Sequence, residues 1–101
     1  MASTGKQRIH ASGSFLVSTG AAVCVGTGNW TAANIAAGIA DLTLGEPIDV
    51  TERVVTATSQ VQSTMVATIP ANDTDTVVRF HVEDDTGADA DSVVAFTVWR
   101  V

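Results

Sequence analysis

The sequence predicts an all-β fold, a small antiparallel β-sandwich or jelly-roll-like domain with an extended N-terminal arm. Three observations carry that expectation. From Phe15 onward the chain runs in short apolar segments separated by Gly, Pro, Asn and Asp, with Val and Thr abundant among them; β-branched residues suit a pleated, half-buried surface. Period-two alternation is clearest in Thr76–Glu83, where Val78, Phe80 and Val82 share one face while Val77, Arg79 and His81 share the other. At 101 residues the chain is the length of one small domain, and nothing in it reads as an internal repeat or linker.

Residues 1–12, MASTGKQRIHAS, are polar and carry Lys6 and Arg8, two of the five cations. They are expected to form an arm that orders against a partner, leaving residues 13–101 as the domain. Strands are predicted over Ser14–Ser18, Ala22–Gly26, Ile39–Leu44, Glu52–Ser59, Thr64–Ile69, Thr76–Glu83 and Ser92–Val101. Between the second and third of these lies Thr31–Ala40, TAANIAAGIA. Its alanines favour helix but Gly38 interrupts the pattern, so a short helix and a strand–turn–strand both fit. Glu46–Asp49 and Ile69–Asp73 read as turns, since proline fixes φ and Asn or Asp bonds the local backbone. The last two strands, joined through EDDTGADAD, are expected to pair as a hairpin. In the final strand Val94, Phe96 and Val98 lie on one face and Val93, Ala95, Thr97 and Trp99 on the other. Both faces are largely apolar, which places it centrally in a sandwich or under a neighbouring subunit.

Composition limits the function. Apolar residues make up 46% of the chain and charged residues only 16%, against roughly a quarter charged in ordinary soluble domains; assembly with partners is the expected outlet. The net charge is −6, and seven of the eleven acids fall between Asp73 and Asp91. With so few cations, binding to nucleic acid is not expected, because phosphate neutralisation needs clustered Lys and Arg. The longest uncharged stretch, Ile9–Ala40, is rich in Gly, Ser and Thr and lacks the ~20 strongly apolar residues of a membrane span. No signal-peptide pattern follows Lys6 and Arg8. A lone cysteine, Cys24, excludes an intramolecular disulfide and reads as a small hydrophobe.

The acidic stretch from Glu83 to Asp91 is the one segment that resembles chemistry. A calcium loop needs six to eight converging oxygens, and Asp84, Asp85, Asp89 and Asp91 lack EF-hand spacing and a closing glutamate. Paired-carboxylate hydrolysis needs acids held by separate elements over a cleft, which one turn does not supply. The stretch is read as a solvated turn. Gly26-Thr27-Gly28 lacks the third glycine of a dinucleotide fingerprint, no G-x-S-x-G elbow occurs, and the sequons at Asn29 and Asn72 are read as chance. The chain is therefore expected to be no enzyme and to carry no cofactor or metal.

Several segments together resemble a small β-domain of tailed-phage virion structural proteins. They are Gly26-Thr27-Gly28, the run Gly38–Leu44, Arg53–Thr58, Thr74–Val82, the turn Asp84–Asp91 and the closing Phe96-Thr97-Val98. The family's aromatic after the glycine turn is absent, with Leu42 near that place. The resemblance implies a virion component, made in the host cytoplasm and carried on the capsid exterior. There a decoration or cement protein would bind the major capsid protein and form a homo-oligomer, with a trimer as the common arrangement. The capsid contact expected from this reading is Lys6, Arg8 and Ile9, and the subunit interface Val93, Ala95 and Trp99. A tail-fibre or receptor-binding tip and a calcium-dependent β-sandwich binding module are the alternatives; a tip would present aromatics in its loops, where Trp30 is the candidate.

Overall fold

The structure is a computed structural model, described for residues 8–18, 24–61 and 63–101. The described strands, in chain order, are β1 (Arg8–Val17), β2 (Cys24–Thr27), β3 (Trp30–Ala36), β4 (Ile39–Leu44), β5 (Arg53–Ser59), β6 (Thr64–Thr68), β7 (Val77–Asp84) and β8 (Ser92–Arg100). They form two four-stranded antiparallel sheets, ordered β2-β1-β8-β5 and β3-β4-β7-β6. The sheets pack face to face, so the fold is the small β-sandwich the alternation predicts. A one-turn 3₁₀ helix at Pro70–Asn72 lies within the predicted turn Ile69–Asp73, and another at Val50–Glu52 follows directly on the predicted turn Glu46–Asp49.

The core is the alternate set from each strand. Ala11, Phe15 and Val17 of β1 and Val94, Phe96 and Val98 of β8 face Ala40, Leu42 and Leu44 of β4 and Val78, Phe80 and Val82 of β7. Phe15, Phe96 and Phe80 meet across the sheet interface with Trp30. The indole stands edge-on to Phe96 at 4.8 Å and 86°, an arrangement the ring quadrupoles favour. Its N–H donates to the carbonyls of Ser12 at 3.2 Å and Thr27 at 3.1 Å, so the polar end of a half-buried ring is satisfied. Gly13 makes room for it: a Cβ there would collide with Trp30 Cζ2 and the Val25 carbonyl.

One open choice is settled and three expectations are corrected. The segment Thr31–Ala40 is strand–turn–strand, because β3 pairs with β4 and Gly38 supplies the left-handed turn residue at φ +70°. Trp30, expected in a loop, opens β3 and packs into the core. Arg8–Ser12, expected as arm, are the first half of β1 and pair with β8 through a bulge between Ile9 and Ala11; Lys6 and the rest of residues 1–7 lie outside the described residues. Finally, β7 and β8 are not a hairpin. They lie in opposite sheets, β7 between β4 and β6 and β8 between β1 and β5, and the acidic stretch crosses from one sheet to the other. The central position expected for the last strand is observed.

One charged side chain closes the sandwich at its end. Arg53 on β5 is 3% exposed in its side chain. Its guanidinium donates to the carbonyls of Thr74 at 2.6 Å, Val77 at 3.3 Å and Ile48 at 3.4 Å, and lies 3.7 Å from Asp73 Oδ2. It therefore fastens the edge of the first sheet to the loops that lead into β7 of the second.

Candidate functional site: an uncharged sheet face

The two outward faces of the sandwich differ in kind. On the β3-β4-β7-β6 sheet the outward positions include Asp41, Arg79, His81 and Glu83. Arg79 grips Asp41 with two bonds, 2.7 and 3.0 Å, and the bond to the carboxylate holds its pKa above the ordinary value. His81 Nε2 is 2.7 Å from Asp89 Oδ1. This face is charged and its charges are largely paired within the chain.

Among the described residues, the outward face of the β2-β1-β8-β5 sheet carries no Asp, Glu, Lys or Arg. Because β8 buries Val94, Phe96 and Val98, its alternate residues Val93, Ala95, Thr97 and Trp99 point outward. The strand register then builds rows across the sheet. Ile9, Trp99 and Val54 form one row; Thr27, Ser12, Thr97 and Thr56 the next; Val25, Ser14, Ala95 and Thr58 the third. Leu16 and Val93 begin a fourth. The large aliphatics here are exposed: Ile9 56%, Val54 46% and Val25 65%. The Trp99 indole lies along the sheet and donates its N–H to Thr56 Oγ1 at 3.2 Å. Beside it, a shallow hollow is lined by Thr56, Thr58, Ala95 and Thr97 with Ala57 and Phe96 at its floor.

The residues expected in two separate contacts thus meet on one sheet. Ile9, assigned to the capsid contact, stands directly opposite Trp99, assigned to the subunit interface; Val93 and Ala95 continue the same face, and all three of the β8 residues are half-buried. Arg8 is exposed and stands opposite Arg100 at the end of the sheet. Val54 and the Thr row were not singled out from sequence. Their signal is the outward parity of β5, which becomes readable only once β5 is known to pair with β8.

The acidic crossover is organised from within. Asp84 Oδ1 accepts from Thr86 Oγ1 at 2.6 Å, Thr86 N at 2.8 Å and Ala88 N at 3.1 Å. These bonds, the Thr86 hydroxyl foremost, hold the Asp84 carboxyl below its ordinary pKa. Gly87 takes φ +85° at the turn. Among the described residues no three His, Cys, Asp or Glu side chains converge as a metal site would require, and no helix is long and apolar enough to cross a membrane. Comparison with family models, curated proteins and solved structures finds no match to the chain.

Proposed function

We propose that this chain is a virion structural protein, a decoration or cement protein that binds the major capsid protein on the outside of a phage head and stabilises the shell. The observation that carries the reading is the uncharged outward face of the β2-β1-β8-β5 sheet, in a chain of net charge −6 whose other sheet face is charged. Exposed aliphatics and a tryptophan on a flat sheet suit contact with a protein surface, and a shallow hollow suits that better than enclosure of a small substrate. The virion setting comes from the resemblance in Thr74–Val82, Asp84–Asp91 and Phe96–Val98.

The work is done by mass action and needs no catalysis. A protein that binds the assembled lattice and not its dissociated subunits stabilises it by RT ln(1 + [L]/Kd), about 2.7 kcal/mol per site at a hundredfold excess over Kd. Lys6 and Arg8 remain the proposed coat contact; Arg8 opens β1 at the end of the sheet, and Lys6 lies outside the described residues. The fibre-tip alternative relied on loop aromatics, and Trp30 is packed in the core. The test is to mix purified protein with expanded phage capsids that lack a decoration protein. Saturable binding and a higher temperature of thermal rupture support the reading; no binding and an unchanged rupture temperature overturn it.

A further inference from the structure

We propose that the uncharged face is where two copies of this chain meet, face to face, about a two-fold axis. The axis would lie in the contact plane and run across the strands at the level of the Thr27, Ser12, Thr97 and Thr56 row. Two observations bear on a second copy as the occupant: the charge distribution permits it and the shape of the face selects it.

The first is charge. Any contact between identical chains of net charge −6 brings like charges together. Asp41 and Glu83 stand on the other sheet face, Asp84, Asp85, Asp89 and Asp91 in the crossover, and Glu46, Asp49, Glu52, Asp73 and Asp75 in the turns at the sandwich end. The rows centred on Thr97 contain none of them. Two copies joined there hold their carboxylates apart.

The second is shape. The row on one side of Thr97 is large: Ile9, Trp99, Val54. The row on the other side is small over β1, β8 and β5, where it reads Ser14, Ala95, Thr58 with the hollow between Ala95 and Thr58, and only its β2 end carries a large residue, Val25. The proposed rotation exchanges these rows. It sets Trp99 over the partner's Ala95, Ile9 over the partner's Ser14 and Val54 over the partner's Thr58, while the hydroxyl row meets itself. Hydroxyls donate and accept, so such a row is self-complementary, and large on small is how facing sheets interdigitate at ~10 Å. Four strands at ~4.8 Å and six or seven residues at ~3.3 Å give a projected patch of about 400 Å² on each copy. Counted over both copies that is about 800 Å², below the ~1,000–1,200 Å² at which stable specific interfaces begin, so the dimer should be weak and dissociate with dilution. The two-fold contact would replace the three-fold arrangement that the resemblance implies, and it would cover the uncharged face with a second copy, leaving the coat contact of the proposed function to the Arg8 end of the sheet. It does not depend on a virion setting, and its test uses the purified protein alone.

Sedimentation equilibrium across a range of concentrations reads the outcome, with circular dichroism confirming that each variant is folded. The wild type should show a reversible monomer–dimer equilibrium. Thr97→Glu sets two carboxylates beside the axis and should weaken the dimer at least tenfold, and Thr97→Lys should do the same. Mixing the two variants should restore a dimer containing one of each. Thr43→Glu, outward on the opposite sheet face, should leave the equilibrium unchanged. A wild type that is monomeric at all concentrations or trimeric overturns the proposal, as does a Thr97→Glu protein that dimerises normally or a mixture that stays monomeric.

Discussion

Replacing Arg53 with methionine tests how the sandwich is closed. Methionine keeps the apolar stem and volume near the core but removes the guanidinium fork. The Thr74 carbonyl then loses its 2.6 Å bond; a hydrogen bond from a charged donor contributes about 1.5–3 kcal/mol. The Val77 carbonyl loses a longer bond of 3.3 Å but keeps the Thr74 N–H at 3.0 Å, so it is not orphaned. The Ile48 carbonyl is reached only at 3.4 Å and contributes little. Asp73 loses its cation, yet that contact is 3.7 Å long and the carboxylate is 22% exposed to water. Removing one partner of a buried pair costs about 3–5 kcal/mol, and these distances place Arg53→Met at the low end, about 3 kcal/mol.

For a domain of this size each kcal/mol moves Tm by about 4–8 °C, so the expected loss is about 12–24 °C. It is a large share of the ~5–15 kcal/mol that holds a domain folded. Thermal melting followed by circular dichroism and by tryptophan emission measures it, since Trp30 sits at the sheet interface. Arg53→Lys keeps the charge without the planar fork and should fall between methionine and wild type. In an Asp73→Asn background the cost of Arg53→Met should shrink by no more than about 1 kcal/mol, because most of the loss is in the carbonyls. A Tm within about 4 °C of wild type for Arg53→Met would falsify the closure argument.

Three further outcomes are expected. Gly13→Ala drives a methyl into Trp30 and the Val25 carbonyl and should cost about 1–3 kcal/mol, read as a lower urea midpoint with an unchanged slope; an unchanged midpoint means that the indole has room to move. Asp84 has its pKa lowered by the Thr86 and Ala88 bonds. Its folded value lies below the unfolded one, so its contribution is complete above the ordinary carboxylate range and is lost as pH falls through the folded value. Carboxyl NMR shifts should titrate below 3.8, and a midpoint at or above that value refutes the anchoring. Because the same carboxylate oxygen is occupied by loop donors, added calcium or EDTA should leave Tm unchanged; a calcium-dependent rise would turn the crossover into a metal site.

Much of the core was legible because burial leaves its mark on alternate residues. Val78, Phe80 and Val82, and Val94, Phe96 and Val98, are fully or almost fully buried, as their spacing predicts. Pairing was not legible. Two strands that face each other across a core alternate in the same way as two strands bonded side by side, so periodicity alone does not separate β7 facing β8 from β7 paired with β8. The connection Asp85–Asp91 is long for a hairpin, and that was the available signal. Alanine hid β3 from propensity, and only its bonding to β4 settles Trp30–Ala36 as a strand. Of the candidate face, Val93, Ala95 and Trp99 were visible as the second apolar side of one strand. Ile9 joined them only through register, because the expected arm is part of the sheet.

The contrast between the two outward faces also accounts for the composition. A chain of 101 residues buries only about two-thirds of the surface it exposes when unfolded, so apolar residues in excess of its core remain outside. On the β3-β4-β7-β6 face the Arg79–Asp41 and His81–Asp89 pairs hydrate the sheet around Ile39 and Val77, and the exposed Met65 and Ile35 sit toward its two edge strands. On the β2-β1-β8-β5 face no such pair is present among the described residues: Ile9 and Val54 stand exposed on either side of Trp99, Val25 is exposed two rows away, and only hydroxyls and Ala95 lie between. A monomer gains nothing from leaving one face uncharged, since lysine or glutamate at Thr97 or Thr58 would fit the same outward positions and aid solubility. A face that must be covered has the opposite requirement, because each charge placed there would have to be desolvated on contact. The outward side of β8 therefore reads as a surface suited to being buried by another molecule.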